Sequence, residues 1–198
     1  MVFKTLPLLL ILLFTSLQLS AQQPRNKFYA SNEITIGNYK GFDMNFNFIN
    51  KRDQTLKIGY SCVLRKSANT PENFSNGLNG LFSFGLSNPL QRIETFQVSV
   101  GKILPGKHID SPRWNLTAGL GYTTISTPTD WQPNHTGLLA PNYTYDFSKQ
   151  RTISVILSPK IEFPIFGIYG FSLSSLVKVS PKSFYAGIGF GSLFGRVR

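Results

Sequence analysis

The chain has 198 residues and a formal net charge of +11, yet charged residues make up only 15% against 14% aromatics. A basic excess of this size raises nucleic acid as a partner, but Lys and Arg are scattered singly and no recognition motif appears, so nucleic acid is excluded. The charge is assigned instead to anionic lipid headgroups or to acids inside the fold. The single cysteine, Cys62, rules out an internal disulfide framework.

Residues 1–21 read as a cleaved signal peptide: Lys4 is the positive end, Leu6 to Phe14 the apolar centre, and Leu19-Ser20-Ala21 the small-residue cleavage site. The apolar centre is shorter than the roughly 20 residues a membrane helix needs. The remainder, 22–198, reads as one domain.

From Ala30 to Asn38 the chain alternates, with Ile34 and Ile36 on one face and Glu33, Thr35 and Gly37 on the other. After a tight turn at Tyr39-Lys40-Gly41, Phe42, Met44, Phe46 and Phe48 alternate with Asp43, Asn45, Asn47 and Ile49, an apolar-out, polar-in strand. A charged turn, Asn50 to Asp53, leads to a third strand with Leu56, Ile58, Tyr60, Cys62 and Leu64 outward and Lys57, Gly59, Ser61 and Arg65 inward. Ser67 to Arg92 is rich in Asn, Gly, Ser and Pro and reads as a long loop; its apolar piece Gly80 to Leu86 is taken as a strand extension or a packed loop segment rather than a crossing.

Ile93 to Ile103 is a fourth strand with Phe96, Val98 and Val100 outward, and Leu104 to Arg113 a Pro-containing turn. In the fifth, Trp114, Leu116, Ala118, Leu120 and Tyr122 alternate with Asn115, Thr117, Gly119, Gly121 and Thr123. Ser126 to Gln150 reads as the second long loop. A sixth strand sets Ile153, Val155, Leu157, Ile161 and Phe163 against Thr152, Ser154, Ser158, Lys160 and Glu162, and a seventh places Lys178 inward. The terminal strand is bulky and apolar on one face (Phe184, Ala186, Ile188, Phe190, Phe194) and mostly glycine on the other (Gly187, Gly189, Gly191, Gly195). A soluble strand would send polar groups outward. This one implies lipid on the bulky face and a narrow interior on the glycine face.

The fold class expected is therefore all-β: a transmembrane antiparallel up-and-down β-barrel of about eight strands, each long enough to cross the hydrocarbon at a barrel's tilt. The two long loops fall on one side, expected to be outside the cell, with both termini periplasmic.

The inward Glu33, Lys57, Lys160, Glu162 and Lys178 are candidates for a lumen charge network, since an eight-stranded barrel has room only for side chains or one small ligand. Phe74, Phe82, Phe84, Trp131, Tyr143 and Tyr145 in the long loops are candidates for partner binding, because aromatic residues dominate interface energetics. His108 and His135 are the only histidines, and neither lies on a strand beside an inward serine, so no catalytic residue is assigned. Asp130 and His135 alone do not make a metal site. No metal or cofactor is expected.

The polar lead Ser31-Asn32 into Glu33-Ile-Thr-Ile36, the block Ser158-Pro-Lys-Ile-Glu-Phe-Pro164 and the Gly-Ile-Gly-Phe-Gly ending resemble small outer-membrane β-barrel proteins of Bacteroidota-like Gram-negative bacteria, of the eight-stranded OmpA/OmpX-like class. The chain departs from many of them in ending on Arg198 rather than an aromatic residue, with Phe194 the nearest substitute. The resemblance implies the outer membrane as address, lipid as surroundings and other envelope proteins as partners. Its motifs are those of a fold. A structural or interaction barrel leads the expected functions, ahead of a small channel or transporter and a lipid-modifying enzyme.

Overall fold

The computed structural model describes residues 26–77, 88–106, 111–134 and 141–197. The expected signal segment, the Gly80 to Leu86 piece with Phe82 and Phe84, and both histidines lie outside the described residues. Eight strands follow in order: β1 (Lys27–Gly37), β2 (Lys40–Ile49), β3 (Gln54–Lys66), β4 (Leu90–Leu104), β5 (Arg113–Pro133), β6 (Tyr143–Phe166), β7 (Tyr169–Ser180) and β8 (Ser183–Gly195). Each pairs antiparallel with its neighbours, and β8 returns to β1 to close the barrel. Closure leaves no open edge in the ring, the condition that hydrocarbon surroundings impose on a sheet.

Paired residues can be followed once around the ring from Phe28 through Phe48, Leu56, Val100, Ala118, Leu157, Val177 and Ala186. Ala186 meets Asn38, ten residues beyond the start on β1. This stagger and eight strands together fix the tilt, and they leave an interior just wide enough for side chains.

The alternation places apolar groups outside. Ile34, Phe46, Val98, Leu120, Val155 and Phe190 are among the exposed large hydrophobics, with Phe46 75% exposed. Aromatic residues mark the two ends of this band: Phe42, Tyr60, Phe96, Tyr122 and Phe184 at one, and Phe28, Trp114, Phe163 and Phe194 at the other. An apolar band flanked by aromatic girdles is the surface a membrane-spanning barrel presents to lipid. No helix among the described residues is long and apolar enough to cross a membrane.

Several boundaries differ from the sequence reading: β4 begins at Leu90, inside the expected Ser67 to Arg92 loop, and Lys40 and Gly41 of the expected turn open β2. Most of the expected second loop, Ser126 to Gln150, is strand: β5 runs on to Pro133 and β6 begins at Tyr143. β4 pairs with β5 only as far as Ser126, and β7 pairs with β6 only from Val155 onward, so beyond the ring Thr127–Pro133 and Tyr143–Ser148 pair with each other. They form a two-stranded ribbon standing about 20 Å beyond the ring. β1 also begins earlier than expected, at Lys27, and Arg113 belongs to β5 rather than to a turn.

Placing a cation on the lipid face should be costly. Phe190→Arg or Phe46→Arg is expected to destabilise the barrel by about 2 to 4 kcal/mol, whereas Asn76→Arg in the β3–β4 connection should have little effect. Urea unfolding from lipid vesicles reads the difference, and equal losses at the two kinds of site would contradict the assigned facing.

Candidate functional sites: the filled lumen and the outer ribbon

The barrel interior is layered. At the end bearing the β3–β4 and β5–β6 connections, Tyr39, Val63, Ile93, Ile125, Ile156, Leu176 and Tyr185 form an apolar cluster. At the other end, Tyr29, Ile49, Ile103, Leu193 and Val197 form a second. Gly195 has a positive φ of 120°, and beyond it the Val197 N–H donates to Gly167 O at 3.0 Å, so the tail turns back across the barrel base.

Between the apolar layers lies a polar slab in which Glu33, Asp43, Lys57, Arg113, Lys160, Glu162 and Lys178 are all buried. Four cations thus share a buried space with three carboxylates. Glu162, fully buried, accepts from Tyr29 Oη at 2.5 Å, Asn115 Nδ2 at 2.9 Å and Arg113 Nε at 2.8 Å. Arg113 also donates to Val197 O at 2.7 Å, tying the tail to this cluster. Glu33 pairs with Lys160 and accepts from Ser172 at 3.0 Å and Ser174 at 2.5 Å. Asp43 accepts from Asn45 and Gln97, each at 2.8 Å. Full hydrogen bonding of this kind is what makes a buried carboxylate tolerable.

All five residues singled out from the sequence therefore lie in the interior, but they do not form one network. Glu33 and Lys160 are partners. Glu162 is instead paired with Arg113, Lys178 donates to Ser61 near the Tyr185 ring, and Lys57 Nζ has no hydrogen-bond partner among the described residues. Asp43 and Arg113 complete the charged set. Arg113 could have been found by continuing the inward period of Asn115 and Thr117 back by one step.

The glycines of β8 make this slab possible. A Cβ at Gly189 would lie 3.0 Å from Glu33 Oε2 and against Ser174 Oγ, and one at Gly191 would meet the Glu33 side chain. The glycine face is thus the space that the Glu33 cluster occupies.

Of the candidate partner-binding residues, Phe74, Trp131, Tyr143 and Tyr145 come together. The Trp131 ring lies edge-on to Phe74 at 5.5 Å and to Tyr143 at 6.4 Å and tilted against Tyr145 at 5.1 Å, and Tyr145 continues edge-on to Phe147 at 5.5 Å. A β-bulge between Thr129 and Gln132, with Asp130 at φ 55°, re-aims Trp131 into this cluster. The segment after β3 docks on the ribbon tip: Tyr143 Oη donates to Asn73 Oδ1 at 2.9 Å, and Asn142 N–H to Ser75 O at 3.0 Å. Tyr143, Tyr145 and Phe147 occupy one face of the ribbon and the exposed Thr144, Asp146 and Ser148 the other. Among the described residues no group of three or more His, Cys, Asp or Glu gathers as a metal site.

This geometry has relatives among solved structures. The chain is similar to the N-terminal β-barrel domain of Pseudomonas aeruginosa OprF, at 9% identity and a TM-score of 0.52, over 86% of this chain and 98% of that chain. It is similar also to a major outer membrane protein from Thermus thermophilus, at 10% identity and a TM-score of 0.53, over 85% of this chain and 98% of that chain. The fold is that of an eight-stranded outer-membrane β-barrel. No protein-family model and no curated protein sequence matches the chain. The Bacteroidota-like kinship drawn from the sequence finds no support in these likenesses, which at such identities concern the fold alone.

The pairing pattern separates two outcomes. Arg113→Met or Glu33→Leu strands a buried opposite charge and should cost about 3 to 5 kcal/mol. Lys57→Met removes a buried cation that has no hydrogen-bond partner and should be neutral or stabilising. Equilibrium unfolding in urea measures both. In planar bilayers the wild type should give no stable current of porin size, because both ends of the lumen are closed by apolar layers.

Proposed function

We propose that the protein is a non-enzymatic outer-membrane barrel that acts as an interaction subunit of the cell envelope through its outer ribbon. In this reading residues 1–21 direct export, the short turns after β2 and β6 face the periplasm together with both termini, and the ribbon faces outward. The observation that carries it is the contrast between interior and ribbon. Among the described residues the lumen is lined by packed and hydrogen-bonded side chains, which supports a barrel that acts without passing solutes. The ribbon, by contrast, extends well beyond what closure of the ring needs and carries aromatic groups along one face.

Phe74, Trp131, Tyr143 and Tyr145 are half-buried by one another, while Phe147 remains 48% exposed. A rigid aromatic surface at low conformational cost suits protein recognition.

Replacing residues 127–150 by a short Gly-containing turn should leave heat-modifiable gel migration and membrane insertion intact, and should abolish co-purification of envelope proteins from native membranes in mild detergent. Trp131→Ala is expected to weaken that association by more than about 1 kcal/mol, as a central aromatic anchor does. A ribbon-less barrel that retains every partner would refute the proposal.

A further inference from the structure

We propose that the outer face of β3–β6 holds the phosphorylated headgroup of a membrane lipid, in a site built by Arg92, Ser126 and Lys149. The strand registers set these three side by side, Arg92 opposite Ser126 and Ser126 opposite Lys149. By alternation they stand on the outward face that Phe96, Tyr122 and Ile153 occupy nearer the membrane centre. Together they line one groove of about 370 Å³, whose remaining wall is mostly apolar: Cys62, Leu64, Leu90 and Phe147.

Ser126 gives the site its specificity. The residue is 2% exposed and its hydroxyl has no hydrogen-bond partner among the described residues. A buried hydroxyl left unsatisfied between two cations calls for an acceptor, and the acceptor that also satisfies both cations is an anionic oxygen. Glu94 occupies part of the Arg92 guanidinium, with Nε 3.4 Å from Oε2, and its other oxygen accepts from Tyr60 at 2.7 Å. Lys149 has no carboxylate within ion-pair distance among the described residues. Positive charge therefore remains at the groove.

The apolar wall decides which phosphate is held. A free phosphate ion gains nothing from Cys62, Leu64, Leu90 and Phe147. A lipid can set its phosphate on Arg92, Ser126 and Lys149 and run its chains over Phe96, Tyr122 and Ile153, all exposed. On the other side of the ring the corresponding outward positions of β1, β7 and β8 are Ile36, Val179 and Phe184, with Lys40 opposite Ile36 and Lys182 in the β7–β8 turn as the nearby cations. The inference rests on the membrane-embedded reading of the barrel, but not on the proposed protein partner.

The test uses the full mature chain folded in detergent, with heat-modifiable migration confirming the barrel in every variant. Native mass spectrometry would follow retention of a diphosphorylated glycolipid, of the same glycolipid after phosphatase treatment, and of inorganic phosphate. The phosphorylated lipid should be retained and the treated lipid lost. Arg92→Gln and Lys149→Gln should each weaken retention roughly fivefold, Lys182→Gln should leave it unchanged, and millimolar phosphate should not displace the lipid. Equal retention of the treated lipid, or wild-type affinity in the Arg92→Gln/Lys149→Gln variant, would overturn the site. Displacement by phosphate would overturn its assignment to lipid. Loss of the heat-modifiable form in the wild type would instead count against the barrel reading itself, and co-purification of envelope proteins should be unaffected by these substitutions.

Discussion

Eight strands with a stagger of ten enclose a space that must be filled by side chains, and the rest of the molecule is arranged around that filling. The exterior cannot help, because lipid is as apolar as the groups facing it and supplies no net drive to bury them. Cohesion therefore comes from the backbone ladder and from the interior. The interior is inverted relative to a soluble core: polar groups occupy its middle and apolar groups its two ends. The apolar ends bracket the slab, and in that low-dielectric interior each well-paired hydrogen bond is stronger than it would be in water.

The slab is uneven in a way that simple charge counting conceals. Glu162 is surrounded by three donors from β1 and β5. Lys57, fully buried, lies in the field of Asp43 and Glu33 but also in that of Lys160 and Lys178. Conformational specificity and stability pull apart at such a residue. A paired cluster fixes which strands are neighbours, while the extra cation adds polarity without a partner.

Much of this was legible in the sequence because a barrel writes its facing at period two. The Phe42 to Ile49 stretch and the Gly-rich terminal strand gave both faces directly, and the inward charges could be named from parity. Their partners could not, since parity says that Lys57 and Glu162 share an interior without saying at what height each lies. The register, with its stagger, sets that height, and register is a property of pairs of strands. The ribbon was missed for a different reason. Residues 126–150 are rich in Thr, Pro, Asn and Asp, which mark turns, and no lipid lies there to impose a wholly apolar face. Only the Tyr143, Tyr145, Phe147 alternation betrayed a strand. Arg113 was lost because it follows Ser111-Pro112, so that turn chemistry masked the first inward position of β5.

The place of Glu33 bears on how the ring closes. It stands on β1, while its partners come from the far end of the chain: Lys160 on β6, Ser172 and Ser174 on β7, and the space above Gly189 and Gly191 on β8. Until β8 meets β1 this carboxylate has none of them. Zipping the final seam and satisfying the central charge are consequently one event, so a partly opened barrel exposes an unpaired ion and not merely a frayed edge. The seam is made cooperative by side chains that reach Glu33 from strands outside its own ladder, and the glycine strand is the last part that lets it shut.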